Sequence, residues 1–355
     1  MLSRPADQRA SLQATGVPLS DPGGDALEIA LVNNMPDSAV TTTQTQFMRL
    51  VRVAVGDLAF RFRCYMLPGM PRSEEMRCHL FQTYEDIDLL FSRGADALIV
   101  TGAEPRTALL TDEPYWADLA RLVDWARDHT SSSLWSCLSA HAAVQRLDGI
   151  VRRRAGEKFS GVYSFERSVG DWLMRGGGQA VLTPHSRYNG LARFELERHG
   201  YHISSWSDSI GVDIFWRREP SIFVFLQGHP EYDAETLARE YRRDVIRFFG
   251  GERDAYPRVP ENYFTARTQA RLDGMKARAF TQGRRECEQA LDEILSDEDL
   301  ELRWASDAMR LYRNWLALVA QEKSRMAFIT YGKNESSGIG AGALDHRKAA
   351  WRYSE

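Results

Sequence analysis

Four short apolar runs, at residues 27–33, 58–66, 96–101 and 132–136, are separated by stretches with helical periodicity. Phe47, Leu50, Val51 and Ala54 fall on one face of a helix expected over 41–55, and Leu119, Leu122, Val123 and Ala126 on one face of another over 115–128. Shorter helices are expected at 85–92 and 140–147. Apolar runs without polar alternation are strands buried on both faces, so the pattern predicts an α/β fold with a parallel sheet between helical layers. Such a sheet carries its functional residues at the carboxyl ends of its strands.

The middle of the chain is richer in strands, expected at 180–183, 201–206, 212–216 and 221–226, before helix returns at 234–249. Residues 27–265 therefore read as one α/β unit, preceded by a flexible arm over 1–26. Charged helices follow at about 266–293 and 298–324, a helical extension running to 330. The Gly-, Ser- and charge-rich stretch 331–355 is expected to be disordered.

Composition removes several function classes. Across 355 residues, 45 Lys and Arg against 49 Asp and Glu leave a net charge of −4, without the basic excess of a nucleic-acid binder. No run approaches the ~18 apolar residues of a membrane span. Residues 1–26 lack the apolar core of a secretory signal. The four cysteines, Cys64, Cys78, Cys137 and Cys287, lack Cys-x-x-Cys spacing, so the expected compartment is a reducing cytoplasm.

Two strand ends carry the chemistry. The run 132–136 leads directly into Cys137 and then a helix, the arrangement of a nucleophile elbow, in which the turn lifts the sulfur clear of the sheet. The Leu138 N–H would then face a developing oxyanion, with Gly102 and Ala103 after the neighbouring strand as a second donor. A buried structural thiol is the plainer reading of Cys137 alone. The run 221–226 leads into Gly228, His229, Pro230 and Glu231. His229 is a natural general base, and Glu231 can orient its ring. A structural His beside a helix-capping acid is the plainer reading of that pair, but with Cys137 it becomes a Cys–His–Glu triad.

His141, one helical turn past Cys137, is a second candidate base and ranks below His229. His185 falls in a loop expected between strands. No cluster has metal-ligand spacing, so no metal is expected. Arg243 and Arg187 can each fork onto a carboxylate. Lys158 stands out because only five of the 45 basic residues are lysines and no other lysine precedes residue 276.

Further motifs accompany these: Asn33-Asn34-Met35-Pro36 with Gln46-Phe47, Thr101-Gly102-Ala103, Tyr115-Trp116, and Glu157-Lys158-Phe159-Ser160-Gly161-Val162-Tyr163. Pro184-His185-Ser186-Arg187-Tyr188, Gly228-His229-Pro230-Glu231-Tyr232-Asp233, Arg243-Asp244 and Asn262-Tyr263-Phe264 complete the set. Together they resemble the homoserine O-acyltransferases of methionine synthesis, of the succinyltransferase type related to class I glutamine amidotransferases. The resemblance runs over about 28–265 and resumes over 304–320.

It implies a flavodoxin-like three-layer α/β sandwich with additional C-terminal helices, acting as a homodimer without a bound cofactor. It also implies ping-pong acyl transfer from an acyl-CoA co-substrate, succinyl-CoA or acetyl-CoA, to L-homoserine. Cys137 would be acylated, His229 with Glu231 would activate the acceptor, and Lys158, Arg243 and Ser186 would hold it.

Three departures stand out. The family's acyl-donor position is Gly in succinyl users and Glu in acetyl users, but this chain reads Glu104-Pro105-Arg106. Arg106 could pair with a succinyl carboxylate and would not favour acetyl, so succinyl-CoA is the expected donor. Leu138 and His141 replace the usual Trp and Gln, and an insertion spans about 267–303. Alternatives are acetyl-CoA as donor, another hydroxy-amino acid as acceptor, a glutaminase-like hydrolase, or a non-catalytic module.

Overall fold

The protein is described here by a computed structural model covering residues 26–278 and 284–336, with side chains described to 326. The first half alternates strands and helices: β1 (Leu27–Val32), α1 (Val40–Val55), β2 (Phe60–Tyr65), α2 (Glu74–Thr83), α3 (Ile87–Arg93), β3 (Ala97–Val100), α4 (Trp116–His129), β4 (Ser132–Ser136) and α5 (Leu138–Asp148). Next come β5 (Arg153–Arg167), β6 (Ala180–Gly190), α6 (Arg193–Arg198), β7 (His202–Ser207), β8 (Gly211–Arg218), β9 (Ile222–Leu226) and α7 (Thr236–Phe249). The chain closes with α8 (Ala266–Arg278), α9 (Arg284–Ser296) and α10 (Ala305–Ser336).

One nine-stranded sheet runs in the order β2-β1-β3-β4-β9-β8-β7-β5-β6. From β2 to β9 every pairing is parallel, as the apolar runs predict. From β9 to β6 every pairing is antiparallel, so the expectation of a parallel sheet holds for one half only. Strands β3, β4 and β9 are buried at every position because helices cover both faces. One core joins that sheet to α3, α4 and α5 through Leu90, Leu122 and Val144; the other joins it to α1 and α10 through Phe47, Tyr312 and Trp315. The three-layer α/β architecture is therefore present.

Two boundaries differ from expectation. The α/β unit does not close at 265, because α10 lays Leu311, Trp315 and Val319 into the core and the Trp315 indole donates to Ser132 Oγ at 2.9 Å. The tail does not begin at 331 either, since α10 continues to Ser336; the rest of that stretch and the expected arm over 1–25 lie outside the described residues. The insertion forms α8 and α9, which set Leu272, Met275, Leu291 and Ile294 against Tyr241 and Val245 of α7. Among the described residues no helix is long and apolar enough to cross a membrane.

Candidate active site

The carboxyl ends of three adjacent strands, β3, β4 and β9, meet at one place. Cys137 sits between β4 and α5 with φ 54° and ψ −113°, a conformation that costs a non-glycine residue free energy. Its N–H donates to Leu226 O at the end of β9, 2.7 Å away, which pins the turn. The half-buried sulfur is thereby raised at the start of α5.

His229 follows β9, and its N–H donates to Pro184 O at 2.8 Å. Nδ1 lies 2.9 Å from Glu231 Oε1, which leaves Nε2 for Cys137, and the ring stacks on Tyr232 with centroids 4.3 Å apart. Burial disfavours the imidazolium, yet the Cys137 sulfur and the Glu231 carboxylate, with hydrogen bonds to both, hold His229 well above its ordinary value. A thiol beside an imidazole that is backed by a carboxylate can serve as a nucleophile with its own proton carrier.

On the other side of Cys137, Gly102 lies against the first amide of α5. A Cβ there would sit 2.6 Å from Leu138 Cβ and 2.7 Å from Leu138 N, so only glycine permits the approach. The loop is fixed by Asn34, whose N–H donates to Thr101 Oγ1 at 2.8 Å and whose Nδ2 donates to Thr101 O at 3.1 Å. The amides of Gly102, Ala103 and Leu138 donate to no acceptor among the described residues. They border a cleft also lined by Tyr115 and Trp116.

Comparisons with known proteins give the family. A family model described as homoserine O-succinyltransferase (HTS) matches residues 22–325. The chain is 45% identical over 310 residues to a homoserine O-succinyltransferase of Bradyrhizobium japonicum, covering 85% of this chain and 95% of that one. A homoserine O-succinyltransferase of Methylorubrum extorquens is 42% identical, covering 88% and 96%. The chain belongs to the homoserine O-succinyltransferase family. Among solved structures, a glutamine amidotransferase from Thermotoga maritima is 12% identical with a TM-score of 0.43, over 76% of this chain and 98% of that one.

In this family member Lys158 lies on β5 and Arg243 on α7, and they converge on Asp244. Lys158 Nζ is 2.9 Å from Asp244 Oδ2, Arg253 Nη1 2.7 Å from the same oxygen, and Arg243 Nη2 3.3 Å from Oδ1. Burial would raise Asp244, but the three cations hold it below its ordinary value. Arg243 also lies in the fields of Glu240 and Glu104, so Lys158 and Arg253 are the cations paired with Asp244 most directly. Ser186, part-exposed on β6, faces Ser160 across the ladder, two positions along β5 from Lys158.

Two expectations change. His185 lies inside strand β6, not in a loop. Arg187 is buried and spends its nitrogens within the protein: Nε donates to His185 Nδ1 at 3.0 Å, Nη1 to Asn189 O at 2.7 Å and Nη2 to Ile210 O at 2.8 Å. It has no fork left for a substrate carboxylate. His185 Nε2 in turn faces Asp213 Oδ1 at 3.2 Å, and Thr183 donates to Asp213 Oδ2 at 2.9 Å. A Cβ on Gly228 would come within 2.6 Å of His185 Nε2, so this network presses directly on the His229 turn.

His141 is buried, with Nε2 2.9 Å from Gln227 Oε1, and burial lowers it to about 3. Arg106 is exposed on the loop after β3, where its backbone N–H donates to Glu113 Oε1 at 2.6 Å. No group of three or more His, Cys, Asp and Glu side chains suited to a metal occurs among the described residues. Sequence pattern alone marks neither Gln227 nor Arg152. Asp213 had a signal: an acid between Val212 and Ile214 in an apolar run must be paired when buried.

Proposed function

We propose that this chain is an acyl-CoA-dependent homoserine O-succinyltransferase that makes O-succinyl-L-homoserine for methionine biosynthesis. The observation that carries the reading is Cys137, held at φ 54° in an elbow within the field of a His229 that Glu231 backs at 2.9 Å. The family's name supplies the substrates.

In the first half-reaction the Cys137 thiolate attacks the thioester carbonyl of succinyl-CoA. The amides of Leu138 and of Gly102 or Ala103 take the charge on oxygen. The bond to the CoA sulfur breaks, and His229 returns a proton to the leaving thiolate. In the second half-reaction the homoserine hydroxyl gives its proton to His229 Nε2 and attacks the acyl-Cys137 carbonyl, and Cys137 departs as thiolate. Glu231 steadies the imidazolium that forms in each half. Lys158 and Arg243, with Ser186, hold the homoserine carboxylate. No resident cofactor takes part, and the reading places the enzyme in the cytoplasm as a homodimer, which light scattering tests.

The test is thiol release from succinyl-CoA and from acetyl-CoA, each with and without L-homoserine. Homoserine-dependent release from succinyl-CoA, abolished in Cys137→Ala, is the expected result. Release that survives Cys137→Ala would remove the covalent mechanism, and no release with either donor would remove the function.

A further inference from the structure

Two guanidiniums are withdrawn from solvent within electrostatic reach of Cys137, and they differ in what they hold. Arg187 donates to three partners inside the protein. Arg152, in the turn between α5 and β5, makes no hydrogen bond or ion pair with any described residue, and its Nη1 is buried without a partner. Its sequence neighbours do not share this condition: Arg153 pairs with Glu195 at 3.1 Å, and Arg154 lies 4.6 Å over the Tyr188 ring. A half-buried guanidinium whose Nη1 has no hydrogen-bond partner costs free energy, even with Glu113 in its field, and an arriving anion would offset that cost.

The surroundings say which anion. The charged or ionisable groups within electrostatic reach of Arg152 include Tyr115, Cys137, Glu113 and Arg154. The Tyr115 hydroxyl is buried, likewise has no partner, and borders the cleft formed by Gly102, Ala103 and Leu138. Glu113 spends Oε1 on the amides of Arg106 and Thr107 and on the Thr107 hydroxyl, which shapes the loop. Against that one carboxylate stand Arg152 and Arg154, and Arg106 also reaches Tyr115, so the positive charge is in surplus.

We infer that Arg152, with the Tyr115 hydroxyl, is the specificity-determining group that receives the terminal carboxylate of the acyl chain beside Cys137. This rests on the acyltransferase reading above and deepens it. A succinyl group places its free carboxylate two methylenes from the thioester carbonyl, on the side of Cys137 where Leu138 and Tyr115 border the cleft. The CoA phosphates lie a whole pantetheine arm away and cannot reach a cation that faces Cys137. The acceptor's carboxylate has the Lys158 and Arg243 cluster. Arg106, exposed and tied to Glu113 only through its backbone, is not the reader.

The test follows acylation of Cys137 by succinyl-CoA, acetyl-CoA and butyryl-CoA, which matches succinyl in carbon count without the charge. In Arg152→Gln the succinyl-to-acetyl ratio of kcat/KM is expected to fall by at least about 30-fold, and the succinyl-to-butyryl ratio with it. Arg152→Lys retains part of both ratios, and Arg106→Gln moves them by less than about threefold. The free Arg152→Gln enzyme melts no lower than the wild type, since no partner is lost, which separates lost recognition from lost folding. Equal loss on all three donors, or a ratio that collapses in Arg106→Gln and survives in Arg152→Gln, would overturn the assignment and leave the transferase reading standing. A wild type acylated by none of the donors would bring down both.

Discussion

Among the described residues two His–carboxylate pairs share one neighbourhood, and they behave in opposite ways. His229 meets Glu231 at 2.9 Å and is held well above its ordinary value. His185 meets Asp213 at 3.2 Å and is lowered to about 4. Both rings are buried, so the difference lies in what the second nitrogen faces. For His229 it is the Cys137 sulfur, whose anion stabilises the imidazolium. For His185 it is Arg187 Nε at 3.0 Å, a donor, so Nδ1 must stay an acceptor and the ring neutral. Burial dominates His185, with Arg187 and His229 adding repulsion that the Asp213 carboxylate does not offset. A carboxylate beside a histidine makes a proton carrier only when the opposite nitrogen is free to give or take a proton.

The largest effects belong to the first pair. Cys137→Ala should eliminate acylation, and His229→Asn should lower kcat/KM by about 10³-fold, within the range of general base catalysis. Glu231→Gln should cost about 10²-fold by leaving the imidazolium without its counter-charge. Stopped-flow thiol release measures all three, and a Glu231→Gln enzyme at full speed would make Glu231 a capping acid only. The same kind of substitution at the second pair should act on stability. Asp213→Asn removes a carboxylate that lies 3.2 Å from His185 and accepts from Thr183 and the Gly228 amide, at a cost of about 2–4 kcal/mol in urea unfolding. Asp213→Asn protein that unfolds at the wild-type midpoint would show the network to be dispensable.

The two pairs also differ in how far sequence revealed them. Cys137 and His229 terminate apolar strands, and strand ends in a parallel sheet are where chemistry is sought, so periodicity alone placed them. In the antiparallel half β7 and β8 were legible, but β5 and the later part of β6 were not. β5 opens with Arg153, Arg154, Glu157 and Lys158, which reads as a solvated loop, and β6 contains Pro184. Proline is tolerated there because β6 is the last strand of the sheet and pairs only with β5. With β6 read only as far as Thr183, His185 looked like a loop residue and Arg187 like a free fork. Helix α2 escaped because Leu80 is its only buried residue, too little for a periodic signal. Arg152 is one of three consecutive arginines, and composition does not tell which one lacks a partner.

Acid titration sharpens the contrast by a smaller amount. His185 is lowered from 6.5 to about 4, so the folded state favours the neutral ring. The stability this supports is complete above pH ~6.5 and is lost as pH falls toward 4, about 2 kcal/mol between pH 7 and 5. For His229, raised in the folded state, the contribution is fully present at low pH and is lost as pH rises through the raised value. Chemical unfolding at pH 7 and 5 should therefore show His185→Gln with about 2 kcal/mol less acid sensitivity than the wild type. An unchanged slope would mean that His185 is already charged in the fold.

The smallest effect is expected at the third buried imidazole. His141 lies one turn along α5 from Cys137, close enough in sequence to be taken for the base. Its Nε2 is engaged with Gln227 Oε1 at 2.9 Å, and burial lowers it to about 3, far from the range in which a general base works well. A glutamine side chain carries the same kind of donor toward Gln227 and brings no ring to protonate. His141→Gln should accordingly leave kcat/KM within about threefold and stability at pH 7 within about 1 kcal/mol. A loss of about 10²-fold, comparable with Glu231→Gln, would instead place His141 on the proton path and break the rule drawn from the two pairs. Its ring would then be serving as a carrier with no carboxylate behind it at all.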